Sequence, residues 1–340
     1  MACRTLLLTA LLVPATLAAQ QPIVPPVHFQ KLAHTYSIVA FDSITGDLGV
    51  AVQSKFPNVG GIVPWGRAGI GAVATQSLAN TAYGERGLDL VARGASAEQA
   101  LREVMATDTM LQDRQVGVVD AKGNAASFSG TRTFDWSGGR VGGTVGGRAG
   151  GKGEVILGRG YAAQANIMVS DQTVKNMAAA YESTAGDLSE RLMAALKAGQ
   201  AGGGDKRGMQ SAALLVVRKH GGYLGANDRF IDIRVYDAPD PIAELERLLA
   251  LHRLHFFPSA PGDLTPLSPD LVKRLEPILL AEPANQPEKW LKRPQGSANQ
   301  AFLEALRDFM YWENYDVRVR MDGKIDRVVL QDILAKRPGR

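Results

Sequence analysis

Cysteine is almost absent from this chain of 340 residues: Cys3 is the only one. It falls within the first 19 residues, which read as a leader removed on export. The mature chain is therefore expected to hold no disulfide, no thiol nucleophile and no cysteine-based metal site. A chain of this size can still bury a sufficient core without them. A charge excess is lacking as well. Thirty-eight basic against 34 acidic residues leave a net charge of +4. The basic residues are scattered rather than clustered, which argues against nucleic acid as a partner. The metal patterns are missing too. His252 and His255 stand three apart with no H-E-x-x-H and no third ligand, His220 carries no partner pattern, and residues 42–47 lack the carboxylate spacing of a calcium loop. No metal and no cofactor is expected.

Composition is globular, with ample apolar content and few aromatics. The length suits one large domain with something small beside it, or two ordinary domains. Arg4, the apolar run at 6–13 and the small residues Leu17-Ala18-Ala19 have the three parts of a signal peptide, with cleavage expected after Ala19. That apolar run is far shorter than the ~20 residues that span a bilayer. A periplasmic or extracellular protein is expected, free of the membrane once the leader is gone. Residues 20–34 form a proline-bearing connector, and the globular pattern starts at Thr35.

Apolar runs at 36–41 and 48–52, around the turn cluster Thr45-Gly46-Asp47, read as a β-hairpin. Further strands are expected at 62–64, 69–76, 115–120, 125–129, 161–169, 212–218 and 230–235. Leu88, Val91 and Ala92 form a short amphipathic turn. Ser96, with Gln99 three residues on, is a capping box opening a helix. Helices are expected at 171–182, 188–198 and 242–251, the last with Pro241 at its start. Residues 138–153, GGRVGGTVGGRAGGKG, contain a G-x-x-x-x-G-K match, but Gly153 stands where a phosphate loop needs Ser or Thr; the segment reads as a flexible insertion. Strands grouped in hairpins and alternating with helix pairs predict an α+β fold, a four-layer α-β-β-α sandwich of two antiparallel sheets. It is expected to span 35–252, followed by a proline-rich linker at 253–297 with a short helix near 271–280. A small, mostly helical unit at 298–337 closes the chain, with Phe302, Leu306 and Phe309 at helical spacing.

A Thr heading the first strand of a globular domain is what an N-terminal-nucleophile hydrolase needs. Paired residue numbers in an antiparallel hairpin sum to a constant. A loop of residues 43–47 sets Thr35 opposite Lys55, Ser37 opposite Gln53 and Val39 opposite Ala51, all on one face. A loop one residue shorter or longer moves Lys55 to the other face. In the first register, the α-amine of a Thr35 made N-terminal is a base for its own hydroxyl, with a free pKa of about 7.7–8.0. Lys55 lowers it by like-charge repulsion. Thr is also an ordinary strand residue, so a purely structural role for Thr35 and Ser37 stays open. Thr75, Gln76 and Asn80, at the end of an apolar strand, are candidates to line a pocket or cap the next segment. Asn227 and Asp228, in a strand-connecting loop, are substrate-binding candidates or a turn; Asp205 and Ser211 flank another strand start.

HTYSIVAFDSITGDLGVAVQSKF and VPWGRAGIGAVATQSLANTAYGERGLDL, with RQVGVVDAKGNAASFSG, YAAQANIM, AYESTAGDLSERLMAAL, AGGGDKRGMQSAALLVV and YLGANDRFIDIRVYDAPDPIAELERLLALH, resemble domain-of-unknown-function family 1028 over residues 35–252. The resemblance implies the N-terminal-nucleophile hydrolase superfamily: the α-β-β-α fold and cleavage of an amide bond, in a small amide or a cell-wall peptide. Thr35 matches the nucleophile by position; Gln53 and Lys55 fall near the superfamily's second-strand helpers, and Gln53 or Asn227 would serve the oxyanion. Thr35 lies well beyond the expected signal cleavage, so a second cut between His34 and Thr35 is required. Some members of this fold have lost catalysis, which keeps a non-catalytic binding protein as the alternative. The segment AFLEALRDFMYWENYDVRVRMDGKIDRVVLQDIL resembles a peptidoglycan-binding segment, which makes peptidoglycan an expected partner. A helical appendage packed on the main domain or on a second subunit, in a homo-oligomer, is the other reading.

Overall fold

The computed structural model describes residues 35–133, 136–142, 160–282 and 297–336. The expected leader, the connector at 20–34 and the part of the glycine-rich segment from 143 onward lie outside these.

Two antiparallel sheets form the middle of the main domain. One has six strands: β1 (Thr35–Phe41), β2 (Leu48–Ser54), β7 (Trp136–Gly142), β8 (Tyr161–Met168), β9 (Ser211–Val217) and β10 (Arg229–Val235). Their order is β10-β9-β2-β1-β8-β7. The other runs in chain order through β3 (Pro64–Arg67), β4 (Gly71–Ser77), β5 (Arg114–Asp120) and β6 (Ala125–Ser129). Helices α1 (Ala82–Ala92) and α2 (Ala97–Met105) cover the four-stranded sheet. Helices α3 (Gln172–Ser183), α4 (Leu188–Ala201) and α5 (Pro241–Phe256) cover the six-stranded one. The expected four-layer sandwich is present.

The inner strands read as unbroken apolar runs because both of their faces are buried. Tyr36, Ile38 and Ala40 pack under α3 and α4, in one core with Met177, Leu192 and Leu196. Val39, Leu48, Val50 and Val52 point the other way, into a second core with Ala72, Ala74 and Val119 of the facing sheet. The Ser96–Gln99 capping box opens α2 as expected; a second one, Asp187 with Glu190, opens α4.

The hairpin register differs from the expected one. β1 and β2 are joined by residues 42–47, and Thr35 pairs with Ser54, Tyr36 with Gln53, Ser37 with Val52. Asp42 causes the shift. Its carboxylate accepts from the Ile44 amide at 2.9 Å and the Thr45 hydroxyl at 3.1 Å, an Asx turn that draws Asp42 out of the strand. Gly46, at φ 78°, completes the reversal. One residue of slip turns Gln53 and Lys55 to the opposite face from Thr35.

Part of the glycine-rich segment is strand rather than insertion. β7 pairs with β8, with an irregularity between Trp136 and Gly138. The linker reading of 253–297 also changes. Residues 264–280 belong to a C-terminal unit made of β11 (Leu264–Pro266), α6 (Pro269–Leu280), α7 (Gln300–Trp312), β12 (Lys324–Asp326) and α8 (Arg327–Lys336). Two of its prolines take positions that suit them: Pro269 occupies the first turn of α6 and Pro266 ends a two-stranded ribbon. This unit has its own core, including Val272, Leu275, Phe302, Leu306, Phe309 and Ile333. Leu254, near the end of α5, lies in that core, so α5 runs five residues past its expected end at 251. Arg318, itself buried, donates to the Leu254 and Arg253 carbonyls at 2.9 and 2.8 Å and pairs with buried Asp326 at 2.5 Å. The guanidinium thus satisfies the Leu254 carbonyl at the end of α5 and is a second donor to that of Arg253, which also accepts from the Phe257 amide, and it ties the unit to the main domain. Among the described residues no helix is long and apolar enough to cross a membrane.

Candidate functional site

The space between the sheets is apolar at one end and polar at the other. At the polar end three neighbouring strands present a row of side chains on one face: Ser54 from β2, Thr35 from β1 and Asn166 from β8. The next row holds Val52, Ser37 and Gln164. Gln76 of β4 and Gln115 of β5, paired with each other, face them from the other sheet, beside Ser129 of β6.

These groups are joined into one hydrogen-bonded network. The Thr35 and Ser54 hydroxyls are 3.0 Å apart. Ser37 donates to Gln76 Oε1 at 2.6 Å and accepts from Gln164 Nε2 at 2.6 Å. Gln76 Nε2 reaches Gln115 Oε1 at 2.7 Å and the Thr35 carbonyl at 3.2 Å. Gln115 Nε2 donates to Ser129 Oγ at 2.6 Å and to the Ala165 carbonyl at 2.8 Å, while its Oε1 also accepts from Asn166 Nδ2 at 2.8 Å. Each member is an amide or a hydroxyl. All are buried; Thr35 is 4% exposed. Buried polar groups on this scale are stable only when they satisfy one another, and two backbone features serve that end. Gly117 leaves room for the Gln164 amide, which any Cβ there would overlap. Ser77 and Ile167, each following a network residue, have left-handed backbones at φ 68° and 58°.

The expected site residues divide. Thr35, Ser37 and Gln76 come together. Lys55 does not join them: its backbone amide donates to Asp205 at 3.2 Å and its ammonium to the Met209 carbonyl at 3.1 Å. Gln53 is buried on the helix-facing side of β2, and its amide has no partner among the described residues. Asp205 is buried at the strand ends near Thr35, bridged to Met168 and ion-paired with Arg207 at 3.4 Å. Ser211 accepts from the Val59 amide at 3.1 Å. Thr75 lies one residue from Gln76 and so faces outward, donating to the Asn80 carbonyl at 3.1 Å. Asn80 belongs to a separate cluster with Tyr83, Asp108 and Arg114. Burial would raise the Asp108 carboxyl, but hydrogen bonds from Arg114, Tyr83, the Met110 amide and Asn80 hold it well below the usual range; burial and Asp108 together push the Tyr83 phenol up. Asn227 and Asp228 fall at the far end of the sheet, because β9 runs from Ser211, beside Ser54, to Val217, beside Leu48. There Asn227 accepts from the Arg229 amide at 2.8 Å and Asp228 from the His220 amide at 3.0 Å, both turn contacts.

Ser54, Gln115, Gln164 and Asn166 were not singled out from the sequence. Their signal is a polar residue at every second position of a strand whose other residues are apolar, clearest in YAAQANIM.

The model of a family of unknown function (DUF1028) matches residues 35–245. That of a family described as "Putative peptidoglycan binding domain" matches residues 291–333. Among solved structures, the crystal structure of protein SPO2555 from Silicibacter pomeroyi, which carries the DUF1028 family model, is 29% identical. The match covers 65% of this chain and 86% of that one, with a TM-score of 0.55. No curated protein matches.

Proposed function

The chain belongs to the family of unknown function DUF1028, and from that premise we propose that it is an exported amide (C–N) hydrolase. Its nucleophile is Thr35, made N-terminal by cleavage of the bond between His34 and Thr35. One observation carries this reading: Thr35 heads an inner strand with its hydroxyl turned between the two sheets, into a network of neutral donors and acceptors. In the cleaved chain the α-amine takes the proton of Thr35 Oγ1 as the oxygen bonds to the substrate carbonyl carbon. The C–N bond then breaks, the leaving amine takes that proton, and water hydrolyses the resulting ester. Burial, rather than Lys55, lowers the amine below its free pKa of about 7.7–8.0, because a poorly solvated site disfavours the charged form. The substrates are small amides or cell-wall peptides, with the C-terminal unit holding the enzyme at peptidoglycan; the match at 291–333 supports that placement.

A second reading, a binding protein without catalysis, draws support from the burial of Thr35: its hydroxyl is enclosed between the sheets and engaged with Ser54. The two separate on a covalent intermediate. Incubation with acyl amino acids and muropeptides, followed by peptide mass analysis, is expected to find an acyl group on Thr35 and free amine in solution, both lost in Thr35→Ala. Equal amine release by wild type and Thr35→Ala would contradict the enzyme reading.

A further inference from the structure

Asn166 holds an unbalanced place in the polar network. Its Nδ2 donates to Gln115 Oε1 at 2.8 Å. Gln115 is fixed in that orientation, because its own Nε2 is engaged by Ser129 Oγ and the Ala165 carbonyl while Gln76 Nε2 donates to the same Oε1. Turning the Asn166 amide over would set oxygen against oxygen, so its Oδ1 must face away from Gln115. That oxygen is buried and has no partner among the described residues. An unsatisfied buried acceptor carries a penalty that native structures seldom leave without a reason.

The backbone around Asn166 is also unusual. Ile167 is β-branched yet sits at φ 58°, a conformation such residues rarely adopt. Here β8 sets Asn166 and Ile167 against the single residue Ser137 of β7, between the pairs Ala165–Gly138 and Met168–Trp136. Such a bulge re-aims a side chain and is common beside active sites. Asn166 pairs directly with Thr35 in the neighbouring strand, on the same face. Side chains so related have Cβ atoms about 4.5–5.5 Å apart.

We propose that Asn166 is the positioning residue for the α-amine of Thr35, its Oδ1 accepting an N–H that exists only after the bond before Thr35 is cut. The proposal rests on the hydrolase reading above. It matches one free acceptor to the new donors that cleavage creates beside it. With one N–H held by Asn166, the lone pair of the neutral amine is turned toward Thr35 Oγ1. Ser54 holds that oxygen from the other neighbouring strand. The groups facing the amine from β4, β5 and β6 are the neutral side chains of Gln76, Gln115 and Ser129. The charged groups at this end of the sheet, Lys55, Asp205 and Arg207, are bonded to one another through side-chain and backbone atoms.

The test is the titration of the processed full-length chain, labelled with 13C-threonine, following the Thr35 Cα resonance against pH. Asn166→Asp keeps the side-chain shape and places a carboxylate against the amine, so the midpoint should rise by about one unit or more. Asn166→Ala removes the acceptor that favours the charged form, so the midpoint should fall. Thermal unfolding of each variant reports folding, and either variant alone decides the sign. A midpoint unchanged in both variants, in chains that mass analysis shows to begin at Thr35, overturns the role of Asn166 and leaves the hydrolase reading standing. A wild-type chain that never begins at Thr35 overturns both.

Discussion

Replacing Gly117 by Ala is the sharpest perturbation of the polar network, because it adds one methyl group and no chemistry. A Cβ at 117 would overlap the Gln164 amide. Gln164 is fully buried and donates to Ser37 Oγ at 2.6 Å, so it has no open side to retreat to. Forcing one carbon into such a site costs about 1–3 kcal/mol in displaced packing. Pulling the amide from its partner leaves buried polar groups unsatisfied for about another 1–3 kcal/mol. The sum, about 2–6 kcal/mol, should appear in equilibrium urea unfolding as a lower midpoint with an unchanged slope. The control is the double variant with Gln164→Ala, which removes what the methyl strikes. The pair should cost roughly what Gln164→Ala costs alone, far less than the sum of the two singles. A Gly117→Ala chain as stable as wild type, or a pair that adds without coupling, refutes the account of how the network is seated.

The buried pair that anchors the C-terminal unit should be equally sensitive. Arg318→Met leaves Asp326 buried without its guanidinium and removes the side-chain donor to the Leu254 carbonyl of α5, for an expected loss of about 3–5 kcal/mol in urea unfolding; adding Asp326→Asn should return part of it. His252 should make stability depend on pH. Burial lowers its pKa, a nearby Arg253 lowers it further, and its hydrogen bond with the Phe230 carbonyl only partly opposes them. Because the folded ring titrates below the unfolded value of about 6.5, the unfolded chain binds more protons just below that pH. Stability should then fall as pH drops from about 6.5 to the folded pKa. Unfolding of His252→Gln between pH 5 and 8 should have a flatter profile, and an identical slope would refute the assignment. In a pull-down on purified peptidoglycan, the full chain should be retained and a chain ending at Phe257 should not. Equal retention would remove the C-terminal unit from the wall-binding reading.

Much of the fold is legible in the sequence because its strands and helices carry strong local signals. The Ser96–Gln99 box and the apolar runs of β4, β5, β8 and β9 all appear where the pattern puts them. What local pattern does not carry is the choice among turns of similar composition. Asp42 reads as the end of a strand or the start of a turn, and only its hydrogen bonds to Ile44 and Thr45 decide it. That one residue exchanged Lys55 and Gln53 for Ser54 as neighbours of Thr35. Gln115, Gln164 and Asn166 were hidden for another reason. Each is an isolated polar residue in an apolar strand, and they become a cluster only when two sheets stack. The end of α5 shows the same limit: Leu251 closes the periodic pattern, but the C-terminal core claims Leu254 and draws the helix on.

The central claim is that Thr35 becomes the first residue of the working protein, and intact-mass analysis with N-terminal sequencing of the exported chain tests it most directly. The account predicts a mature species beginning at Thr35 that is lost in Thr35→Ala. A mature chain that begins near Gln20 in both proteins would contradict it.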